Sequence, residues 1–247
     1  MECTFHRFIL PEFNTYRKWS RNAQSSRAVP ISKRIKEVQE NTAFPVYWGK
    51  NQKGMVAEEE LDQQKVSESK LTWLEAALAA ADYATILAEI GLHKQTASRI
   101  LEPYLWHTSV VSSTEWDNMF NQRIHPDAQP EFKMLAEHMF EALSNSKPEL
   151  VNNAQWHLPY VSVNEKQLYE PSVLRQVSVA RVARTSYGKK DEWNLKEDIA
   201  LFERLALSEP IHYSPLEHVA RPSSNNNFGN FDGWQQLRHM KDYWSIS

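Results

Sequence analysis

Residues 15–27 read Thr-Tyr-Arg-Lys-Trp-Ser-Arg-Asn-Ala-Gln-Ser-Ser-Arg and carry the strongest local signal in the chain. The apolar residues before and within this stretch recur at steps of three and four, which predicts a helix from about Pro11 that is entered from a short strand. The polar residues after Ser20 have the composition of a turn. We therefore expect Arg17 and Arg27 to bracket hydroxyls and an amide where a helix gives way to a turn.

Such a group of residues suits a phosphate, because guanidinium groups form bidentate charge-assisted hydrogen bonds and because hydroxyls and turn amides are neutral donors. The alternative is a solvated helix end with incidental arginines, since basic turns are common. Arg99 and Arg123 lie in otherwise apolar segments. An arginine in such a place either forms a structural salt bridge or binds an anion, and the residue types alone leave both alternatives open.

The composition is that of an ordinary soluble globular protein. The 247 residues are 41% hydrophobic and 24% charged, with a net charge of -3, which excludes collagen-like, coiled-coil, disulfide-scaffold and disordered classes. There is no basic excess, so a general nucleic-acid binder is not expected. No apolar run approaches the roughly 20 residues of a membrane span, and no signal-peptide pattern follows Met1. We therefore expect a cytoplasmic protein without a membrane partner.

Scarce cysteine and glycine limit the chemistry. Cys3 is the single cysteine, so an intramolecular disulfide and cysteine-based zinc sites are excluded. The six glycines form neither GxGxxG nor GxxxxGK[ST], so side chains must bind any phosphate. His125 has no second ligand spaced along a helix face, and we predict no metal site. Glu217 and His218 form either an acid–base pair or a histidine that anchors a strand by hydrogen bonding.

Hydrophobic periodicity predicts most of the other elements. Helices are expected at about 71–90, 94–101, 114–122, 132–143 and 195–207. The apolar segment 173–183 is a buried helix or a buried strand, and periodicity does not distinguish the two. We find no internal repeat and no linker. The chain is therefore predicted to form one mixed α and β domain over residues 1–247, with a mobile tail from about 223 to 247.

Three segments in the first part of the chain resemble the flavin-dependent thymidylate synthases, the ThyX family. Residues 15–27 resemble the family signature RHRxxSxNxxSxR, with the last Arg of RHR, both Ser, the Asn and the closing Arg in register. Residues 97–103, Ala-Ser-Arg-Ile-Leu-Glu-Pro, resemble its ARxxLP helix. Arg123 followed by residues 127–131, Asp-Ala-Gln-Pro-Glu, resembles its R-x(4)-AQxEI segment.

Two further segments match in an unusual order. Residues 183–188, Ala-Arg-Thr-Ser-Tyr-Gly, resemble the ARVSYG near the family's N-terminus, and residues 213–218, Tyr-Ser-Pro-Leu-Glu-His, resemble the SPFEH strand that precedes the signature. Both come last here, which indicates a circular permutation cut between that strand and the signature helix. We therefore predict that the strand near Cys3 to Phe8 lies beside Leu216 to Pro222. A phage-type member of the family is one origin that this order leaves open.

The resemblance implies a ThyX-like α+β fold, with mixed helices around a small, twisted, mainly antiparallel sheet. It also implies methylation of dUMP to dTMP at C5, in which methylenetetrahydrofolate supplies the carbon, FAD carries electrons and NADPH reduces the flavin. The family does not rely on a cysteine nucleophile, which agrees with the single Cys3. Its active sites are shared between the subunits of a homotetramer, in the cytoplasm of a bacterial cell or a phage-infected host.

The resemblance also assigns residues to the site. Those implied to bind the substrate phosphate are Ser25, Ser26, Arg27 and Arg99. Arg123 would face the pyrimidine as the catalytic residue, where a guanidinium stabilises negative charge that develops on the ring. The residues implied to contact FAD are Arg17, Asn22, Ser112, Asn118, Ser186 and His218.

Three positions depart from the family signature. Thr15 and Tyr16 replace its first Arg and its His, and Ala23 replaces the Glu that usually follows its Asn. These changes leave two alternatives to dUMP methylation. One is a flavin-dependent hydroxymethylase that acts on dUMP or dCMP, and the other is a nucleotide- or flavin-binding homologue without activity.

Overall fold

The computed structural model describes residues 1–187, 193–206, 208–224 and 229–240. Gly188 of the 183–188 segment lies outside the described residues, as do parts of the predicted tail 223–247. The described residues form five strands and nine α-helices, which confirms the predicted α+β class. These elements are β1 Glu2–His6, α1 Leu10–Phe13, β2 Ser20–Ala23, α2 Ile31–Glu40, α3 Gln63–Glu89, α4 Lys94–Ala97, β3 Trp106–Ser112, α5 Asp117–Arg123, α6 Pro130–Ser144, α7 Val163–Leu168, α8 Pro171–Arg184, α9 Leu195–Ala206, β4 Ala220–Pro222 and β5 Trp234–Gln236.

The main sheet is a small antiparallel one in the order β1-β3-β2. On one side of the central strand, Phe5 pairs with His107, and on the other side Asn22 pairs with Val110. Strands β4 and β5 form a second, two-stranded antiparallel sheet. The prediction of a small, mainly antiparallel sheet is therefore confirmed for the described residues.

The predicted helix after Pro11 is wrong beyond its first turn. Helix α1 ends at Phe13, and Ser20–Ala23, expected to be a turn, is strand β2. The apolar residues spaced by three and four instead pack their rings together in a compact loop. The Trp19 ring lies 5.2 Å from that of Phe13 and 4.6 Å from that of Tyr16. The free edge of β3 then supplies hydrogen-bond partners for β2, so tertiary pairing overrides the local turn composition.

Two other expectations need correction. Of the predicted helix 94–101, only α4 is α-helical, and a 3-10 helix over Ser98–Tyr104 follows, since Pro103 lacks the N–H that an α-helix would use. The expected SPFEH strand is a 3-10 helix over Ser214–Glu217. The segment 173–183, left open between helix and strand, lies in α8.

The predicted helices at 71–90, 114–122, 132–143 and 195–207 are confirmed as α3, α5, α6 and α9. Helix α3 begins earlier than its apolar pattern. Asp62 caps its N-terminus by accepting a hydrogen bond from the Lys65 amide at 3.0 Å, which allows polar residues to fill the first two turns.

Three buried clusters form the core. The first packs β1 and the 13–19 loop against α6, the second packs α8 and α9 around Leu216 and Leu237, and the third packs α2 against α3. By length and composition α3 is apolar enough to cross a membrane, contrary to the expectation above. A single helix of this kind is weak evidence for a membrane span, and Ala77, Ala81 and Ala84 of α3 are buried in the third cluster.

The segment 214–222 packs differently from the prediction. It lies against β2 and the end of β3, where Ser214 Oγ donates to Asn22 Oδ1 at 3.1 Å. Strand β1 pairs with the other edge of β3, so most of Cys3 to Phe8 is not the neighbour of this segment. Only the start of the chain comes near, because the Met1 ammonium donates to the Val111 carbonyl at 2.7 Å and Oγ of the next residue, Ser112, lies 2.9 Å from His218 Nδ1.

A buried ion network joins α7, α8 and α9. Asp198 is fully buried and accepts hydrogen bonds from Arg181 Nε at 3.0 Å and Arg184 Nε at 2.9 Å. Glu165 of α7 pairs with Arg181 at 2.5 Å. The network fixes the end of α8 and therefore the position of Ser186, which follows in a 3-10 helix.

We predict that Asp198→Ala lowers the free energy of unfolding by about 3–5 kcal/mol, because the buried Arg181 and the largely buried Arg184 lose their shared partner. Urea denaturation followed by circular dichroism measures the change. The matched control is Glu197→Ala, since Glu197 is exposed and lies 3.7 Å from Arg184, and we expect it to cost at most about 1 kcal/mol. Equal effects in the two variants would contradict the assigned role of Asp198.

Candidate functional site

Two of the residues implied to bind phosphate meet at one carboxylate. Ser26 Oγ donates to Glu102 Oε1 at 3.1 Å, and Arg99 Nη1 donates to the same oxygen at 2.7 Å. Arg7 Nη2 also donates to it, at 3.0 Å. We call Arg7, Ser26, Arg99 and Glu102 the anion cluster.

Strand pairing assembles the anion cluster. Arg7 directly follows β1, and its backbone N–H donates to the Leu105 carbonyl just before β3 at 2.9 Å. Arg99 and Glu102 lie in the 3-10 helix that leads into β3, and Ser26 lies in the turn after β2. The three strands of the sheet therefore bring together residues that are up to 95 positions apart.

A buried layer supports the anion cluster. Arg7 Nη1 donates to His107 Nδ1 at 2.7 Å, so this imidazole is an acceptor. Burial, followed by the charges of Arg7 and Arg34, lowers the pKa of His107 to about 3. Arg34 is itself buried and pairs with Glu37 at 2.7 Å. Arg34 Nε and Ser98 Oγ are buried without a hydrogen-bond partner among the described residues.

The other two residues of the implied phosphate site are less closely tied to the cluster. The Ser25 N–H donates to the Ser186 carbonyl at 3.1 Å, and Ser25 Oγ accepts from the Arg27 N–H at 3.2 Å. The Arg27 side chain is exposed and has no hydrogen-bond or ion-pair partner in the part of the chain that the structure describes. Only Ser26 and Arg99 thus share a common partner.

Arg123 lies at the end of α5 in a different cavity. Its Nε donates to the Tyr16 hydroxyl at 2.7 Å, its Nη1 pairs with Glu12, and its guanidinium carbon lies 4.7 Å from the centre of the Phe132 ring. The cavity has a volume of about 890 Å³ and a wall formed by residues 46–57. Arg7, Arg99 and Glu102 line a separate cavity of about 320 Å³, so one chain does not join Arg123 to the anion cluster.

The residues implied to contact FAD fall into two groups. Arg17 and Asn118 are exposed and line one cavity of about 370 Å³ together with Trp19. A guanidinium and an amide at a cavity wall suit the pyrophosphate of a dinucleotide cofactor, so this pair fits the flavin. These two residues would hold the cofactor, which supplies the electron-transfer chemistry when bound.

The residues of the second group form hydrogen bonds with other groups of the protein. Asn22 Nδ2 donates to the Val182 carbonyl at 2.7 Å and to Ser186 Oγ at 3.3 Å, while Ser112 Oγ lies 2.9 Å from His218 Nδ1. Burial, followed by the charges of the Met1 ammonium and of His157, lowers the pKa of His218 to about 3. This group links β2 and β3 to α8 and to the 214–217 helix.

The remaining histidine candidate has a local role. His125 Nδ1 accepts a hydrogen bond from the Asp127 N–H at 3.2 Å at an exposed turn. Within residues 1–187, 193–206, 208–224 and 229–240, no group of three or more His, Cys, Asp or Glu side chains is placed to hold a metal ion.

Sequence reasoning missed several residues that the structure brings into the site. Arg34 carries a usable signal, because it lies on the same helical face as Ile31, Ile35 and Val38, where a charge requires a partner. Arg7 and Glu102 carry no comparable signal, since their pairing depends on the register of β1 and β3. Glu12 and Tyr16 contact Arg123 in the folded chain, but they are more than 100 positions away from it in the sequence and carry no signal of this contact either.

These features define an α+β protein with the anion cluster beside an antiparallel sheet. A family model described as thymidylate synthase complementing protein matches residues 1–149, and the chain belongs to this family. The predicted family is therefore confirmed, and membership supports a thymidylate synthase-type activity in nucleotide biosynthesis. A search of curated proteins gave no match to the chain. The matched range contains the 15–27 and 97–103 segments and ends before 183–188 and 213–218.

We predict that acid pH destabilises the protein through His218. Its pKa of about 3 in the folded state lies below the ordinary value of 6.5, so its contribution to stability is complete above pH 6.5 and is lost as the pH falls toward 3. Between pH 6 and 5, His218 therefore makes the free energy of unfolding fall by an additional amount of about 1.4 kcal/mol per pH unit at most. His218→Gln should remove this part of the pH dependence. Urea denaturation between pH 6 and 5 measures the free energy of unfolding of both proteins.

The matched control is His125→Gln, since the His125 side chain is 57% exposed. If the slope for His218→Gln equals that of the unmodified protein, His218 does not remain neutral in the folded state.

Proposed function

We propose that the protein is a flavin-dependent thymidylate synthase that methylates dUMP at C5 to give dTMP, with methylenetetrahydrofolate as carbon donor and NADPH as reductant. The observation that carries the proposal is the anion cluster. Two residues implied to bind the phosphate, Ser26 and Arg99, converge with Arg7 on one oxygen position. Family membership supplies the reaction type, and the cluster supplies a place for the phosphate.

Arg123 has the surroundings of a charge-stabilising residue. Its guanidinium is held by Tyr16 and Glu12 and rests over the Phe132 ring, so its orientation is fixed before substrate arrives. A positioned cation stabilises negative charge that develops on the pyrimidine ring without reorganising. Tyr16, which replaces the signature His, acts in this proposal as a positioning residue for Arg123.

The separation of Arg123 from the anion cluster supports an active site shared between subunits. Each chain would contribute its anion cluster to one site and its Arg123 to another, as in the homotetramer that the resemblance implies. Helix α3 offers a contact surface, because Leu71, Tyr83 and Ile86 are exposed on the side opposite its buried alanines, together with the charged Glu75 and Asp82. A second copy of the chain would cover these exposed apolar side chains.

A circular permutation accounts for the order of the segments. The Met1 ammonium donates to the Val111 carbonyl at 2.7 Å, and Oγ of the next residue, Ser112, lies 2.9 Å from His218 Nδ1. The start of β1 therefore lies near the end of the 213–218 segment, which is where the uncut family order would join them. The family match over residues 1–149 alone agrees with this order.

Purified protein is expected to be yellow and to convert dUMP, methylenetetrahydrofolate and NADPH to dTMP when supplied with FAD. Flavin absorbance and chromatography of the nucleotide product measure the two properties. Protein that takes up no FAD would contradict the proposal, because the chain offers no cysteine nucleophile in its place. Formation of 5-hydroxymethyl-dUMP, or turnover of dCMP alone, would replace it with the hydroxymethylase alternative.

Arg123→Ala is expected to reduce kcat by about 100-fold or more, because a preorganised cation is lost from the transition state. The ion pair with Glu12 is partly exposed, so we expect its loss to leave the fold intact, which circular dichroism and the thermal transition verify. Arg204→Ala, which removes an exposed arginine of α9, is the matched control and should retain full turnover. Turnover of Arg123→Ala within threefold of the control would refute the assigned role.

A further inference from the structure

Three donors of the anion cluster converge on a single carboxylate oxygen. Arg7 Nη2, Arg99 Nη1 and Ser26 Oγ lie 3.0, 2.7 and 3.1 Å from Glu102 Oε1. Two guanidinium groups and a hydroxyl around one oxygen form the arrangement by which proteins bind a phosphate oxygen. Glu102 Oε1 therefore marks an anion position that a ligand phosphate and this carboxylate cannot occupy together.

The surroundings are more cationic than one carboxylate neutralises. Burial lowers the pKa of Arg7, the Glu102 carboxylate opposes this, and the nearby charges of Arg34 and Arg99 lower it further. Arg34 is paired with Glu37, so the excess in the anion cluster is the one positive charge that Arg7 and Arg99 carry beyond Glu102. The cluster thus has charge for an anion with more charge than a carboxylate.

Glu102 is placed to leave the cluster. Its side chain is 28% exposed and lies at the wall of the 320 Å³ cavity, whereas the Ser26 hydroxyl beneath it is buried. In the ARxxLP pattern aligned on Arg99 and Pro103, the position of Glu102 is a leucine. The carboxylate is therefore a departure of this chain from that pattern.

We propose that Glu102 is an intramolecular competitor whose carboxylate must leave Arg7, Arg99 and Ser26 before a ligand phosphate binds to them. A terminal monophosphate carries two negative charges and displaces the singly charged carboxylate. A phosphodiester carries one charge and gains no electrostatic advantage over it. The cost of displacing Glu102 is the same for every ligand, so the carboxylate lowers the affinity for monophosphates and phosphodiesters by one common factor, and the arginines set the preference between them. This inference rests on the proposed function only for the identity of the nucleoside.

Isothermal titration calorimetry of the purified full chain with inorganic phosphate and with dUMP tests the proposal. Glu102→Gln should bind both about tenfold more tightly than the unmodified protein, because the competing charge is removed while the side-chain size is kept. Glu102→Leu provides a second variant with the residue of the pattern. The matched control is Glu149→Gln, which removes an equal charge from an exposed pair with Lys166 and should leave both affinities unchanged.

The methyl ester of dUMP, a phosphodiester, tests whether the carboxylate is displaced by the ligand. Glu102→Gln should tighten binding of the ester by the same factor as binding of dUMP, because the displaced carboxylate imposes the same cost on both. Unchanged or weaker phosphate binding in both Glu102 variants would overturn the proposal and make Glu102 a support that orients the arginines. Tighter binding without dTMP formation by the unmodified protein would refute the proposed function and leave this inference standing.

Discussion

The antiparallel pairing of β3 with both β1 and β2 is the constraint on which the rest of the structure depends. The paired strands place Arg7 beside His107, Ser112 beside His218, and Ser26 beside the 3-10 helix that carries Arg99. Backbone hydrogen bonds fix this register, and a slip of one residue would move each side chain to the opposite face of the sheet. The anion cluster and the layer beneath it therefore follow from strand register.

Charge compensation is the second organising feature. Asp198 neutralises two arginines in the interior, and Glu102 neutralises two arginines at a cavity wall. The two carboxylates differ in exposure, and this difference separates their roles. A fully buried carboxylate cannot leave without stranding buried positive charges, whereas a partly exposed one exchanges its protein partners for water.

The long apolar helices could be predicted because their signal is local. The periodic residues of α6 and α9 each bury one face, and neither element needs a distant partner to be recognised. The helix predicted beyond Phe13 and the turn predicted after Ser20 are wrong for the opposite reason, because the signal there is not local. Phe13, Tyr16 and Trp19 satisfy their burial by ring packing rather than along one helix, and β2 exists only because β3 offers it an edge.

The sequence by itself determined the family and the α+β class, because residue types at fixed spacings carry that information, and it predicted roles for Ser26, Arg99 and Arg123. Only the tertiary structure decided that Glu102 occupies the position expected for a phosphate oxygen, and that Arg123 faces a different cavity from the anion cluster. The physical reason is that hydrogen bonds and ion pairs depend on distances of about 3 Å. Strand pairing sets those distances between residues that are remote in the chain.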